Sequence, residues 1–107
     1  MRYKGNIAEE KAAIFLKKRG FKIIKRNFYC KGGEIDIIAY KDNTFHFIEV
    51  KSGENFEPIY NITYKKLNRI IKCAKFYVQK HKISSAFCID AIIIKKDIIE
   101  FIENLTL

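Results

Sequence analysis

Hydrophobic positions change their period several times along the chain, and each change marks an element. Ala8, Ala12, Phe15 and Leu16 recur at helical spacing and Gly20 supplies a C-terminal stop, so residues 5–19 are expected to form a helix. Residues 21–28 read as a strand. Gly32-Gly33 predicts a turn, after which residues 34–40 alternate in type and are rich in β-branched side chains. A second turn over residues 41–44 leads into a strand over residues 45–51, which completes a three-strand meander.

Residues 52–59, which include the single proline, Pro58, lack a period and read as a loop. Asn61 or Thr63 can cap the helix that follows, because a side-chain oxygen there accepts from the first free backbone N–H groups. In that helix Leu67, Ile70, Ile71, Ala74 and Val78 fall on one stripe, long enough to cover a sheet face. Residues 87–94 are almost wholly apolar, as a central strand buried on both faces requires, and residues 98–105 read as a last strand or short edge element. The order helix, three strands, helix, strand, last strand predicts an α/β fold with helices flanking a mixed sheet. At 107 residues the chain is long enough for one such domain and too short for two.

Composition narrows the class. Hydrophobic residues at 49% exclude a disordered tail, and apolar runs such as residues 91–94 fall far short of the roughly 20 residues that cross a bilayer. The charged start MRYKGN is not followed by an apolar stretch of signal-peptide length. Cys30, Cys73 and Cys88 are widely spaced and form no C-x-x-C pair, and His46 and His81 are the only histidines. Neither a disulfide framework nor a structural zinc site follows from them, so reduced thiols in a cytoplasmic protein without membrane segments are expected.

The formal charge is +9, and its distribution says more than its size. Residues 1–31 carry ten Lys/Arg against two acids, and residues 65–82 carry seven against none. Between them, residues 32–64 hold six acids against two lysines. An acidic stretch between two basic ones suits an anionic polymer that meets a bound cation. Of the 21 basic residues 17 are lysine, so codon bias accounts for part of the basicity but not for the acids.

Side chains alternate along a strand, which puts Glu34, Asp36, Ile38 and Tyr40 on one face, and Phe45, Phe47, Glu49 and Lys51 together on one face of the next strand. A two-residue turn at Asp42-Asn43 pairs residues whose numbers sum to 85, and so does a four-residue loop. In that register Asp36 faces Glu49 and Glu34 faces Lys51. Opposed carboxylates stand only about 5 Å apart and repel, and a hard divalent cation removes the repulsion. The alternative is a Glu34–Lys51 cross-strand ion pair with Asp36 or Glu49 protonated or solvated.

The run G-E-I-D-I-I-A at residues 33–39, followed by F-I-E-V-K at residues 47–51, resembles the PD-(D/E)XK signature of restriction-endonuclease-like proteins. The resemblance is closest to the bacterial YraN family, which is similar in turn to archaeal Holliday-junction resolvases. It extends over nearly the whole chain: G-x-x-x-E-x-x-A from Gly5 to Ala12, Asn27, T-x-x-K-x-x-R-I from Thr63 to Ile70, and Asp90. The resemblance implies a restriction-endonuclease-like α-β-β-β-α-β core, with Asp36 and Glu49 as metal ligands for Mg2+ (or Mn2+), Lys51 as the motif lysine, and Glu9 as the helix carboxylate that completes the site. Helical spacing is compatible with the last point, since Glu9 lies at the margin of the apolar face whereas Glu10 points away. Many relatives carry a basic residue where this chain has Tyr29 and Gly53.

On the second helix Lys65, Arg69, Lys72 and Phe76 share the face opposite the apolar stripe, where basic groups interleaved with an aromatic suit phosphate contacts. Lys66, at the flank of the stripe, matches the family's helix lysine and is the better single candidate for a phosphate contact. Asp90 interrupts an apolar strand and reads as structural; Cys73 and Cys88 read as core, and His46 faces away from Glu49. The expectation is therefore a Mg2+-dependent endonuclease acting on DNA, such as branched DNA in repair or recombination, with a homodimer suggested by analogy to resolvases. The alternatives are a non-catalytic nucleic-acid-binding module of the same fold, and a structural protein whose acidic face another chain covers.

Overall fold

The computed structural model describes residues 3–53 and 62–106. Helix α1 spans Tyr3–Lys18 and is followed by three strands, β1 (Lys22–Cys30), β2 (Gly33–Lys41) and β3 (Thr44–Ser52). Helix α2 (Tyr64–Lys80), β4 (Ala86–Lys95) and β5 (Ile98–Ile102) complete the order. The strands form one five-stranded sheet in the order β1-β2-β3-β4-β5. Pairing is antiparallel except between β3 and β4, which run parallel with α2 as the crossover. The α-β-β-β-α-β core is thus present, with β5 as an added edge.

Two apolar layers hold the sheet between the helices. Ala8, Ala12, Ala13 and Leu16 of α1 pack on Ile37, Ala39, Ile48, Ile92 and Ile94. On the other face Ile70, Cys73, Ala74 and Tyr77 of α2 pack on Phe28, Ile35, Ile38, Phe47 and Ile89. β4 contributes to both layers, which is why its sequence is apolar without alternation. Each fully buried isoleucine adds roughly 1.5–3 kcal/mol relative to exposure.

Local chemistry accounts for the boundaries. Thr63 caps α2 by accepting from the Lys66 N–H at 3.1 Å; the alternative cap, Asn61, and the loop over residues 54–59 with Pro58 lie outside the described residues. Asp42 and Asn43 both take positive φ, 49° and 61°, as a two-residue hairpin turn demands, and the β2–β3 ladder keeps the register from Lys41↔Thr44 to Ile37↔Ile48. β5 is shorter than the expected strand over residues 98–105. Asn104 turns the backbone with a φ of 62°, and its N–H goes to the Asp90 carboxylate instead of a strand partner.

The cysteines differ from expectation as well. Cys30, at the end of β1, is joined by a disulfide to Cys73 on α2, with a Cα–Cα separation of 5.8 Å, and only Cys88 is a free thiol. The pairing is tertiary: a sequence separation of 43 gives no local signal for it. Among the described residues no helix is long and apolar enough to cross a membrane.

Candidate metal centre

Five polar or charged residues are buried among those described, and they fall into two groups: Glu9, Asp36 and Glu49 in one place, His46 and Asp90 in another. The first group lies where the sheet's regular alternation breaks. Arg26 pairs with Ile37, and Phe28 with Ile35, so a regular strand would keep Ile35 and Ile37 on one face. Instead Ile37 packs in the α1 layer, and Ile35 and Phe28 pack in the α2 layer. The ladder skips the pair between them, Asn27 and Asp36, and Asn27 has a left-handed φ of 55°. That backbone lets the two strands exchange faces at this point, and asparagine tolerates it better than most residues.

Asp36 uses the irregularity. Its Oδ2 accepts the backbone N–H of Val50 at 2.8 Å, two residues past Ile48 of the last β2–β3 ladder pair, Ile37↔Ile48. Its carboxyl also makes a side-chain hydrogen bond with Glu49. Burial, and then the charge and hydrogen bond of Glu49, push the Asp36 carboxyl up to about 8; the Val50 N–H pulls the other way, and Glu9 adds to the rise. A hydrogen bond between two carboxyls needs a proton on one of them, and at neutral pH the Asp36–Glu49 pair retains one.

Two lysines stand beside Glu49. Lys51 Nζ lies 3.3 Å and Lys66 Nζ 3.8 Å from Glu49 Oε2. Burial lowers the Lys51 ammonium, but its hydrogen bond with Lys66 and the charge of Glu49 outweigh that and leave it above the ordinary lysine value. Lys66 is pulled below that value, first by its hydrogen bond with Lys51 and then by burial. Two cationic side chains thus flank the one carboxylate.

These side chains line one cleft of about 320 Å³, whose walls include Glu9, Asp36, Glu49, Lys51, Lys66 and Arg69. Glu9 reaches it from α1 at 2% exposure, Asp36 and Glu49 come from β2 and β3, and Lys66 and Arg69 from the first half of α2. Gly33 lies beside α2: a Cβ there would make ordinary contact with the Arg69 Cβ at 3.5 Å. Lys65 and Lys72 are exposed on α2 and are not among the cleft walls. Four carboxylates, Glu9, Glu34, Asp36 and Glu49, line the cleft, an all-oxygen acidic set of the kind a hard divalent cation takes.

Sequence reasoning overlooked Arg26. Its guanidinium contacts Glu10 at 2.6 Å and stands 3.9 Å from Glu9, which links β1 to the acid end of α1. No spacing rule brings residues 16 or 17 apart on different elements together.

The second buried group is a lock. His46 Nδ1 and Asp90 Oδ2 are 2.5 Å apart, the Cys88 thiol donates to Asp90 Oδ1 at 3.3 Å, and the Asn104 N–H donates to the same oxygen at 2.8 Å. His, Cys and Asp here lie within metal-ligating distance of one another. Two ligands of a tetrahedral ion, each about 2.0–2.2 Å from it, sit more than 3 Å apart, so the His46–Asp90 contact is a hydrogen bond that leaves no room for an ion. Asp90 ties β3, β4 and the segment after β5 together, and these contacts are the partners that a charge buried in an apolar strand requires.

A model of the uncharacterised protein family UPF0102 matches residues 8–94. A UPF0102 protein of Helicobacter hepaticus is 58% identical over 106 residues, covering 99% of this chain and 96% of that relative. One of Wolinella succinogenes is 59% identical over 106 residues, covering 99% and 98%. One of Helicobacter pylori strain HPAG1 is 54% identical over 105 residues, covering 98% and 92%. The family match spans Glu9, the hairpin, both lysines of the cleft and the Asp90 lock, and the chain belongs to the UPF0102 family.

Proposed function

We propose that this chain is a divalent-metal-dependent endonuclease of the PD-(D/E)XK type, similar to the YraN proteins and Holliday-junction resolvases, that hydrolyses phosphodiesters in branched DNA. The observation that carries the reading is that three buried carboxylates from three elements, Glu9, Asp36 and Glu49, line one open cleft together with Lys51. Buried like charges cost several kcal/mol unless a proton or a cation neutralises them. A proton retained by the Asp36–Glu49 pair does so; a hard dication held by Glu9, Asp36 and Glu49 would do it without the proton.

Such an ion, when bound, lowers the pKa of water and offsets charge on phosphoryl oxygens. The chain's own groups do the rest. Lys51, fixed by Glu49, faces the charge that develops on phosphorus-bound oxygen as water adds and the bond to the leaving sugar oxygen breaks. Lys66 and Arg69 hold the same phosphate or its neighbour at the cleft wall, and Lys65 and Lys72 extend the cationic face along α2. The Val50 N–H keeps Asp36 aimed between the two strands. A homodimer would present two clefts to two symmetric strands.

The test is a nicking assay on four-way, flapped and single-stranded DNA with Mg2+ or Mn2+. Wild-type protein is expected to nick at least one of them, and Asp36→Asn and Glu49→Gln are each expected to abolish nicking while binding persists. If wild type binds all three substrates and cuts none in either metal, the non-catalytic binding module replaces this reading.

A further inference from the structure

The exposed aromatics on α2 and the adjoining sheet edge take no part in the cleft chemistry. Phe76 is 50% exposed, yet its ring stacks on Phe28 with centroids 6.4 Å apart and planes inclined by 26°. Phe28 is buried and held edge-on by Tyr77 at 5.1 Å. Phe76 is therefore a ring backed by the core that presents half its surface to solvent.

Its neighbours are cations. Phe76 stands seven residues after Arg69, which is two helical turns and about 10 Å along the same stripe of α2. Lys72 is exposed between them, Lys80 Nζ lies 5.9 Å from the Phe76 ring centroid, and α2 contains no acidic residue. A protein-binding patch depletes lysine around its apolar centre, whereas a ring set among cations is how single strands are held: backbone on the charges, bases on the ring. A duplex keeps its bases stacked on one another and offers the ring no face. About 10 Å corresponds to about three stacked nucleotides at roughly 3.4 Å each.

We propose that the Arg69–Phe76 stripe guides an unpaired strand from the cleft along α2, with Phe76 stacking one of its bases, so that the substrate class is nucleic acid with a single-stranded segment. The proposal rests on the nuclease reading only for what happens in the cleft. The binding track itself requires no turnover.

Fluorescence anisotropy in EDTA tests it, with labelled oligothymidylate of about 20 nucleotides against a mixed-sequence duplex of equal length. The single strand is expected to bind more tightly than the duplex. Phe76→Leu keeps apolar contact with Phe28 but has no aromatic face, and it is expected to weaken single-strand binding about tenfold while duplex binding stays unchanged. Phe76→Trp is expected to retain the single-strand affinity and to show quenching of its indole on binding. Single-strand affinity of Phe76→Leu equal to wild type, equal loss on both probes, or no preference in wild type would each overturn the proposal. Since no metal is present and nothing is cut, a wild type that shows this preference but never nicks DNA refutes the nuclease reading alone.

Discussion

Val50 donates its backbone N–H to the Asp36 carboxylate at 2.8 Å, so a side chain takes the place of a strand partner where the β2–β3 ladder ends. That bond fixes the carboxylate between the two strands and brings it against Glu49, and the closeness of the two acids has a measurable consequence.

Folding moves the Asp36 carboxyl from its ordinary value of 3.8 to about 8, chiefly through burial and then through Glu49. Between those values the folded protein holds a proton that the unfolded chain has released, so stability falls as pH rises across the window and levels off above about 8. The metal-free thermal midpoint is expected to drop between pH 6 and pH 8. Mg2+ takes the place of the proton, so its stabilising effect should be larger at pH 8 than at pH 6. Asp36→Asn should flatten the pH dependence and remove most of the Mg2+ effect. A wild-type midpoint that rises over this range contradicts the assignment.

The lock around Asp90 predicts a different phenotype. Asp90→Ala leaves His46 and the Asn104 N–H without their buried acceptor and should cost about 3 kcal/mol in urea unfolding. Nicking per folded molecule should be unchanged, because neither Asp90 nor His46 lines the cleft. Burial, and then Asp90, push the Cys88 thiol up to about 12, so native Cys88 should alkylate slowly and the Asp90→Ala protein faster.

The hairpin was legible because its register is local. Asp42-Asn43 tolerates the left-handed backbone of a tight turn, and that fixes every pair up to Ile37↔Ile48. The count ends there: Asp36 and Glu49, expected as the next pair, meet through their side chains and are not a pair of the ladder. The stripe on α2 was legible too, except that Tyr77, buried at 6% exposure, was not assigned to it: a tyrosine can lie on either face, and here its ring packs edge-on against Phe28 and Phe47. The exchange of faces at Asn27 was hidden, because nothing in the residues 26–28 breaks a strand pattern; only the opposing strand reveals it. Cys30–Cys73, Arg26–Glu10 and His46–Asp90 join residues distant in sequence, and no periodicity encodes such contacts.

Binding of DNA should be strongly salt-dependent. For duplex DNA the slope of log affinity against log salt changes by about 0.9 for each phosphate contact. Lys66→Ala and Arg69→Ala, both on the cleft wall, should each reduce the slope by about that amount if each meets one phosphate. Slopes unchanged in both variants would place the DNA elsewhere on the protein.

Glu9 offers the sharpest separation of a three-carboxylate centre from a pair. It is 2% exposed at the cleft wall, it acts on the charge state of Asp36, and Arg26 stands 3.9 Å away, which keeps α1 and β1 in register beside it. Glu9→Gln preserves the shape and leaves one oxygen facing the cleft, but removes a negative charge from the set that would hold the ion. The Mg2+ concentration for half-maximal nicking is therefore expected to rise about tenfold, with the maximal rate at saturating Mg2+ reduced far less. Affinity for DNA in EDTA should stay the same or increase, since one source of repulsion towards phosphate is gone. Glu10→Gln serves as the control: Glu10 shares the Arg26 contact but is 59% exposed in its side chain, and its loss should leave the Mg2+ requirement where it was. If Glu9→Gln nicks with the wild-type Mg2+ dependence, the centre consists of Asp36 and Glu49 alone, and the burial of Glu9 then reflects packing between α1 and the sheet.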